Sequence, residues 1–203
     1  MTAYPVMLDG SKLSALVVGG GAVALRKVRA LLDGGVRVVV VATDADPELH
    51  VLAQNEARLT VILAAYSAGR IADATLVIAA TDDPVVNARV AADAMKRQRL
   101  VNVVDAPTTG TFLTPAVHRA GDLTIAVSAG RLPGAAAAIR DTMAGRFDAR
   151  YAAAIAVLRD LRDRLLASGD RDEWRAISNK ILGDSFCSDV ESGSLEGKVG
   201  SWR

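Results

Sequence analysis

Leu13-Ser-Ala-Leu-Val-Val-Gly-Gly-Gly-Ala-Val-Ala24 is an apolar run that ends in three glycines and passes straight into a helical pattern. Over residues 23–33, apolar side chains fall at 23, 24, 25, 28, 31 and 32, one face of a helix, and Gly34-Gly35 stops it. A second apolar run covers 36–42. Strand, glycine turn, helix and strand in this order make a βαβ unit. Working outward, further Val/Ile/Leu runs lie at 59–63, 75–80 and 100–104, with helical patterns at 47–57 and from Pro84 onward. Continuous β-branched runs suit parallel strands buried on both faces. The alternation predicts an α/β fold with a doubly wound parallel sheet. Right-handed crossovers place the third strand beyond the second and the fourth beyond the first.

Gly19, Gly21 and Ala24 match G-x-G-x-x-G/A, with Ala24 last. Gly19 permits the tight turn, Gly21 lets a pyrophosphate approach the backbone, and Ala24 lets the helix pack close to the sheet. The anion would meet free N–H groups at the helix start. Asp44 lies 20 residues after Ala24, just past the second strand. A carboxylate there accepts from ribose hydroxyls and repels a 2′-phosphate, which favours NAD over NADP. Asp44 also reads as a helix cap ahead of Pro47, and both readings stand at this point.

Ligands of open α/β sheets bind at the carboxyl ends of strands. The fourth strand ends in Ala79-Ala-Thr-Asp-Asp83 and the fifth in Asn102-Val-Val-Asp-Ala-Pro107. Thr81 and Asp82 would border the cofactor. Asp105 would face the same crevice nearer the nicotinamide, as acceptor for a proton lost while hydride leaves carbon. Each has a bland alternative: Asp82 or Asp83 caps the helix begun by Pro84, and Asp105 shapes a turn.

Composition removes other classes. The 203 residues carry 24 Lys+Arg against 23 Asp+Glu and are 4% aromatic, which argues against a nucleic-acid partner. The single Cys187 excludes an internal disulfide and a cysteine zinc site, and His50 and His118 lack metal-ligand spacing. No apolar stretch reaches a membrane span and no signal peptide is visible, so a cytoplasmic protein is expected. Charge is nonetheless uneven: residues 96–150 hold eight Lys/Arg against four Asp, compatible with a polyanionic ligand.

After Asp105 the pattern changes. Strand-like runs at 112–116 and 123–127 flank His118-Arg-Ala-Gly-Asp122, read as a link, with His118 a loop residue. Helices are expected over 135–147, 151–167 and 171–182. Residues 184–203 read as a disordered tail in which Cys187 is incidental.

Five blocks occur in order: Gly19-Gly-Gly-Ala-Val-Ala-Leu-Arg-Lys27, Ala79-Ala-Thr-Asp-Asp83, Asn102-Val-Val-Asp-Ala-Pro107, Phe112-Leu-Thr-Pro115 and Gly121-Asp-Leu-Thr-Ile-Ala-Val-Ser128. Together they resemble the precorrin-2 dehydrogenase module of siroheme synthases, over about residues 3–150. The resemblance implies a Rossmann-type NAD domain over 1–112, a small α+β dimerisation and substrate region over 113–147, and a helical region over 148–183. It implies NAD-dependent oxidation of precorrin-2 to sirohydrochlorin, for siroheme or cobalamin, by a homodimer. The short central strands, too few to close a sheet, hint at the same pairing. Asp105 matches the proposed general base. Gly21, Ala22, Val23, Thr43, Asp44 and Thr81 match cofactor contacts, and Ser128 matches a serine near the tetrapyrrole. Arg119, Arg131 and Arg140 are candidates for the substrate carboxylates, and each also reads as an ordinary solvated residue.

There are departures. Members of the family often continue this serine as Ser-x-Gly-Gly-x-Ser-Pro; here the loop reads Ser128-Ala-Gly-Arg-Leu-Pro-Gly134, with Arg131 in place of a glycine and Leu132 in place of a small polar residue. No methyltransferase domain follows in this sequence, as expected of a stand-alone module. Two other functions remain open. Some members also insert Fe²⁺, with Asp105 accepting the pyrrole protons. A non-catalytic NAD-sensing module would need only the Rossmann half.

Overall fold

The computed structural model describes residues 3–106 and 108–200; Pro107 and residues 201–203 of the expected tail lie outside the described residues. The chain forms two compact units, Met1–Thr114 and Pro115–Arg203.

The first unit runs β1 (Ser14–Val18), α1 (Ala22–Asp33), β2 (Arg37–Ala42), α2 (Pro47–Asn55), β3 (Leu59–Leu63), β4 (Leu76–Ala79), α3 (Pro84–Lys96) and β5 (Leu100–Val103). All five strands are parallel, in the order β3-β2-β1-β4-β5; β3 lies beyond β2 and β4 beyond β1, as crossover handedness leads one to expect, and β5 extends the sheet past β4. The order reverses between β1 and β4, so the carboxyl ends of these two strands flank the switch point.

Alternate strand residues point to opposite faces, and each face has its own helices. Ala15, Val17, Val38, Val40 and Ile78 pack with Ala24, Leu25, Val28 and Leu32 of α1 and Leu49 of α2. Leu16, Val18, Val41, Val77, Ala79, Val101 and Val103 pack with Val90, Ala91 and Ala94 of α3. Each fully buried Val or Leu contributes on the order of 1.5–3 kcal/mol. Burial on both faces is why these runs show no polar alternation. Pro47 and Pro84 occupy first helical turns, where the missing N–H costs nothing.

In the second unit, β6 (Ala116–Ala120) and β7 (Leu123–Val127) form an antiparallel hairpin. Its first strand is therefore not at 112–116. His118 and Arg119 are strand residues, and only Gly121-Asp122 turns the chain, with Gly121 at φ +57°. The preceding segment is committed elsewhere. Thr111 N–H donates to the Val101 carbonyl at 2.7 Å, its hydroxyl accepts from Val101 N–H at 2.8 Å, and Phe112 packs on the α1 side of the sheet.

Helices α4 (Pro133–Arg146), α5 (Ala149–Ser168), α6 (Arg171–Ile181), α7 (Phe186–Ser192) and α8 (Leu195–Gly200) follow. The last two correct the expected disordered tail. Val190 and Leu195 are buried with Tyr151, Leu158, Leu161, Ile177 and Ile181, and Phe186 and Cys187 pack against the same cluster. Phe186 and Val190 stand four residues apart on one helix face, a spacing that the surrounding Ser, Gly and acidic residues conceal.

Candidate cofactor and active site

The three glycines at the end of β1 are not equivalent. Gly19 has φ +122°, and a Cβ on it would lie 2.3 Å from the Ala80 carbonyl oxygen at the end of β4. A Cβ on Gly20 would lie 2.1 Å from the Asp44 carbonyl oxygen, beyond β2. The Gly20 carbonyl also accepts from Asp46 N–H at 2.8 Å. Around Gly21 there is open space: a Cβ there would meet nothing within 4 Å. Gly21 begins α1 without a side-chain cap, so the first N–H groups of α1 lack intrahelical acceptors. Gly21, Ala22 and Val23 are exposed, whereas Ala24 is buried against the sheet. The G-x-G-x-x-G/A fingerprint leaves its second position open, so the pattern by itself assigns Gly20 no role.

The carboxylates sort themselves by reach. Asp46, not Asp44, caps α2, accepting from Glu48 N–H at 2.9 Å. Asp44 accepts only from the adjacent Ala45 N–H, at 2.9 Å, and is exposed beside Thr43 at the carboxyl end of β2. Asp83, not Asp82, caps α3, accepting from Val85 and Val86 N–H at 2.8 and 3.3 Å. Asp82 is exposed.

Asn87, which no sequence motif marks, is the polar centre of this end of the sheet. It is 1% exposed. Its Oδ1 accepts from Thr81 N–H at 3.1 Å and from the Thr81 hydroxyl at 2.7 Å. Its Nδ2 donates to the Thr81 carbonyl at 2.9 Å and to Asp105 Oδ1 at 3.2 Å. Asp105 itself is exposed just beyond β5. One buried amide thus joins the ends of β4 and β5 across the start of α3. A polar residue on an otherwise apolar helix face was the available sequence signal.

Two further polar groups lie nearby in this unit. Asn102 is buried; its Nδ2 donates to the Phe112 carbonyl at 3.0 Å, while its Oδ1 has no partner among the described residues. Lys27 on α1 donates to Thr114 Oγ1 at 2.5 Å. Burial, then the charge of Arg26, holds its ammonium below the ordinary lysine range.

In the second unit, Ser128 is exposed at the end of β7. Arg131 is exposed with φ +70°, directly after Gly130 at φ +54°. The backbone thus holds two consecutive left-handed residues in this loop. Arg119 donates to Thr124 Oγ1 at 3.0 Å, and Arg140 pairs with Asp141 at 2.5 Å. The His118 ring lies 2.6 Å from the Phe147 carbonyl. Among the described residues, no group of three or more His, Cys, Asp or Glu is arranged to hold a metal ion.

Residues 6–116, which include the glycine turn, Asp44, Asn87 and Asp105, match a family model described as "Putative NAD(P)-binding". The chain belongs to this NAD(P)-binding family. Among curated relatives, the siroheme synthase of Chromobacterium violaceum is 34% identical over 198 residues, 95% of this chain and 42% of that protein. The siroheme synthase of Pseudomonas putida F1 is 48% identical over 123 residues, 61% of this chain and 26% of that protein. The chain spans less than half the length of these relatives. A solved structure titled "SirC, precorrin-2 dehydrogenase" shares the fold. Its TM-score is 0.78 at 24% identity, covering 98% of this chain and all of that one. No helix among the described residues is long and apolar enough to cross a membrane.

Proposed function

We propose that this protein is an NAD-dependent dehydrogenase that oxidises precorrin-2 to sirohydrochlorin. The observation that carries the reading is Asp105: an exposed carboxylate at the end of β5, tied through Asn87 to the Thr81 turn at the end of β4. The siroheme synthase relatives support it, one of them along 95% of the chain.

The glycine turn fits a dinucleotide. The uncapped start of α1 and the open space at Gly21 suit a pyrophosphate on the N–H groups of Gly21, Ala22 and Val23. Asp44, relieved of capping by Asp46, accepts from the ribose hydroxyls and disfavours a 2′-phosphate, hence NAD rather than NADP. Thr81 and Asp82 border the cofactor. When bound, NAD supplies the acceptor for the hydride that leaves the substrate. Asp105 takes the accompanying proton on Oδ2, since Oδ1 already accepts from Asn87. Ser128 and the Arg side chains of the second unit are the candidates for the substrate's carboxylates. The Arg140 charge is met by Asp141, which leaves Arg119, bonded only to the neutral Thr124 hydroxyl, and Arg131 as the stronger candidates. Among the described residues, β6 and β7 pair only with each other, which supports pairing with a second copy through residues 113–147. A cytoplasmic homodimer is the proposed working form.

The test is to mix purified protein with precorrin-2 and NAD and follow NADH and sirohydrochlorin together. Asp105→Ala should lower kcat by roughly 10²–10⁴-fold and leave the Kd for NAD within about threefold. Failure of the wild-type protein to form sirohydrochlorin with NAD overturns the reading. Unchanged kcat in Asp105→Ala removes Asp105 from it.

A further inference from the structure

We propose that Asn87 is the positioning residue of this site: its side-chain amide fixes the Asp105 carboxylate to the Thr81 turn and leaves Oδ2 as the proton-accepting oxygen. The inference rests on the dehydrogenase reading and adds a residue to it.

Asn87 sits one turn before Val90 and Ala91, which face the apolar core beneath the sheet. An aliphatic side chain would suit such a place, and a buried amide left without partners costs roughly 1–3 kcal/mol. Here every hydrogen-bonding valence is used: two acceptances from Thr81 and one donation each to Thr81 and Asp105. The orientation of the amide is forced. Thr81 N–H requires the oxygen and the Thr81 carbonyl requires the nitrogen, so the remaining proton must point at Asp105.

Anchoring α3 alone does not call for this amide, because Asp83 already caps the helix through Val85 and Val86. What Asn87 adds is the link across to β5. An exposed aspartate turns through several rotamers, whereas a carboxylate held at one oxygen presents the other in a fixed direction. Fixing a reacting group in this way removes orientational entropy from the barrier.

The experiment uses the full chain as wild type, Asn87→Asp, Asp105→Asn and the double variant. Asn87→Asp keeps the size and the acceptor for Thr81 N–H but loses both donations. It should lower kcat by roughly 10–100-fold with the Kd for NAD within about threefold. Asp105→Asn keeps an oxygen for the Asn87 amide and loses the base. In that background, Asn87→Asp should lower kcat by less than about twofold further, because the two residues act as one unit. The Asn87 side-chain amide NMR signal of the wild-type protein should also differ from that of Asp105→Asn, because a carboxylate accepts its proton in one and a neutral amide oxygen in the other. This readout needs no turnover and no Asn87 variant that folds.

Normal wild-type turnover with an unaffected Asn87→Asp, additive losses in the double variant, or an amide signal indifferent to Asp105 each overturn the inference alone. A wild-type protein that forms no sirohydrochlorin overturns the dehydrogenase reading and this role with it.

Discussion

The backbone of Gly20 lies directly against that of Asp44: a Cβ on Gly20 would stand 2.1 Å from the Asp44 carbonyl oxygen. The Asp46 N–H closes the same contact on the Gly20 carbonyl at 2.8 Å. The turn after β1 and the loop after β2 are therefore one zipped structure. Asp44 stands beside the glycines because Gly20 has no side chain.

Gly20 and Gly21 should accordingly fail in different ways when a methyl group is added. Gly20→Ala forces two backbone segments apart and should destabilise by about 3 kcal/mol, lowering Tm by roughly 5–10 °C. Gly21 has φ −81°, which any residue adopts, and open space around it. Gly21→Ala should leave Tm within about 2 °C and weaken NAD binding roughly tenfold, by obstructing the pyrophosphate. Thermal melts and NAD titrations of both variants check this. Wild-type affinity in Gly21→Ala would remove the pyrophosphate from the turn.

Arg131 holds φ +70°, a region in which an L side chain costs roughly 1–2 kcal/mol. Part of that cost is offset on mutation by the greater chain entropy of glycine. Arg131→Gly should therefore raise stability by about 0.5–1 kcal/mol, read as a higher urea midpoint. If Arg131 also anchors substrate carboxylates, the same variant raises KM for precorrin-2 without changing the Kd for NAD. A stabilised variant with unchanged KM would leave Arg131 no part in substrate binding.

Stability should fall in alkali through Tyr66. Its hydroxyl donates to Asp93 at 3.0 Å. Burial first, and the bond to the Asp93 carboxylate second, push the phenol up to about 12 from the usual 10. The folded state keeps the proton longer than the unfolded chain, so the contribution is complete below pH 10 and is lost as pH rises towards 12. Tyr151, buried and donating to Glu191 at 2.8 Å, is shifted in the same direction. Denaturant melts across pH 9–12 should show the decline. Tyr66→Phe should make it shallower without abolishing it; an identical slope would contradict the assignment.

The last helices should behave as core rather than tail. Glu191 accepts from Arg146 and from the Tyr151 hydroxyl, and its carboxyl is held below the usual range by them. Val190 is buried against the same cluster. A chain stopped after Gly183 uncovers Tyr151 and Ile181 and should melt well below the full chain or aggregate. Val190→Ala is the milder test, expected to cost about 2 kcal/mol. Equal Tm values for all three proteins would mean that the segment contributes nothing.

The sequence by itself determined the parallel sheet, the order of its first four strands and the glycine turn. Apolar periodicity and the right-handedness of crossovers are properties of local chain and chirality, readable without neighbours. The strand ends carrying Thr81 and Asp105 followed from the apolar runs that precede them, and the place of β5 beside β4 from the tertiary structure. Which carboxylate performs which task did not follow. Asp46 rather than Asp44, and Asp83 rather than Asp82, reaches the helix N–H groups, and a displacement of one or two residues along the chain decides it. The hairpin strand lay beyond its expected place because Val101, ten residues earlier than Thr111, claims the backbone that was read as strand. The C-terminal helices were hidden because composition averages over residues that folding sorts onto one face. Gly20 against Asp44 and Asn87 against Asp105 are contacts between segments far apart in the chain. Only the tertiary structure could place them, because a hydrogen bond or a steric limit depends on what lies across space.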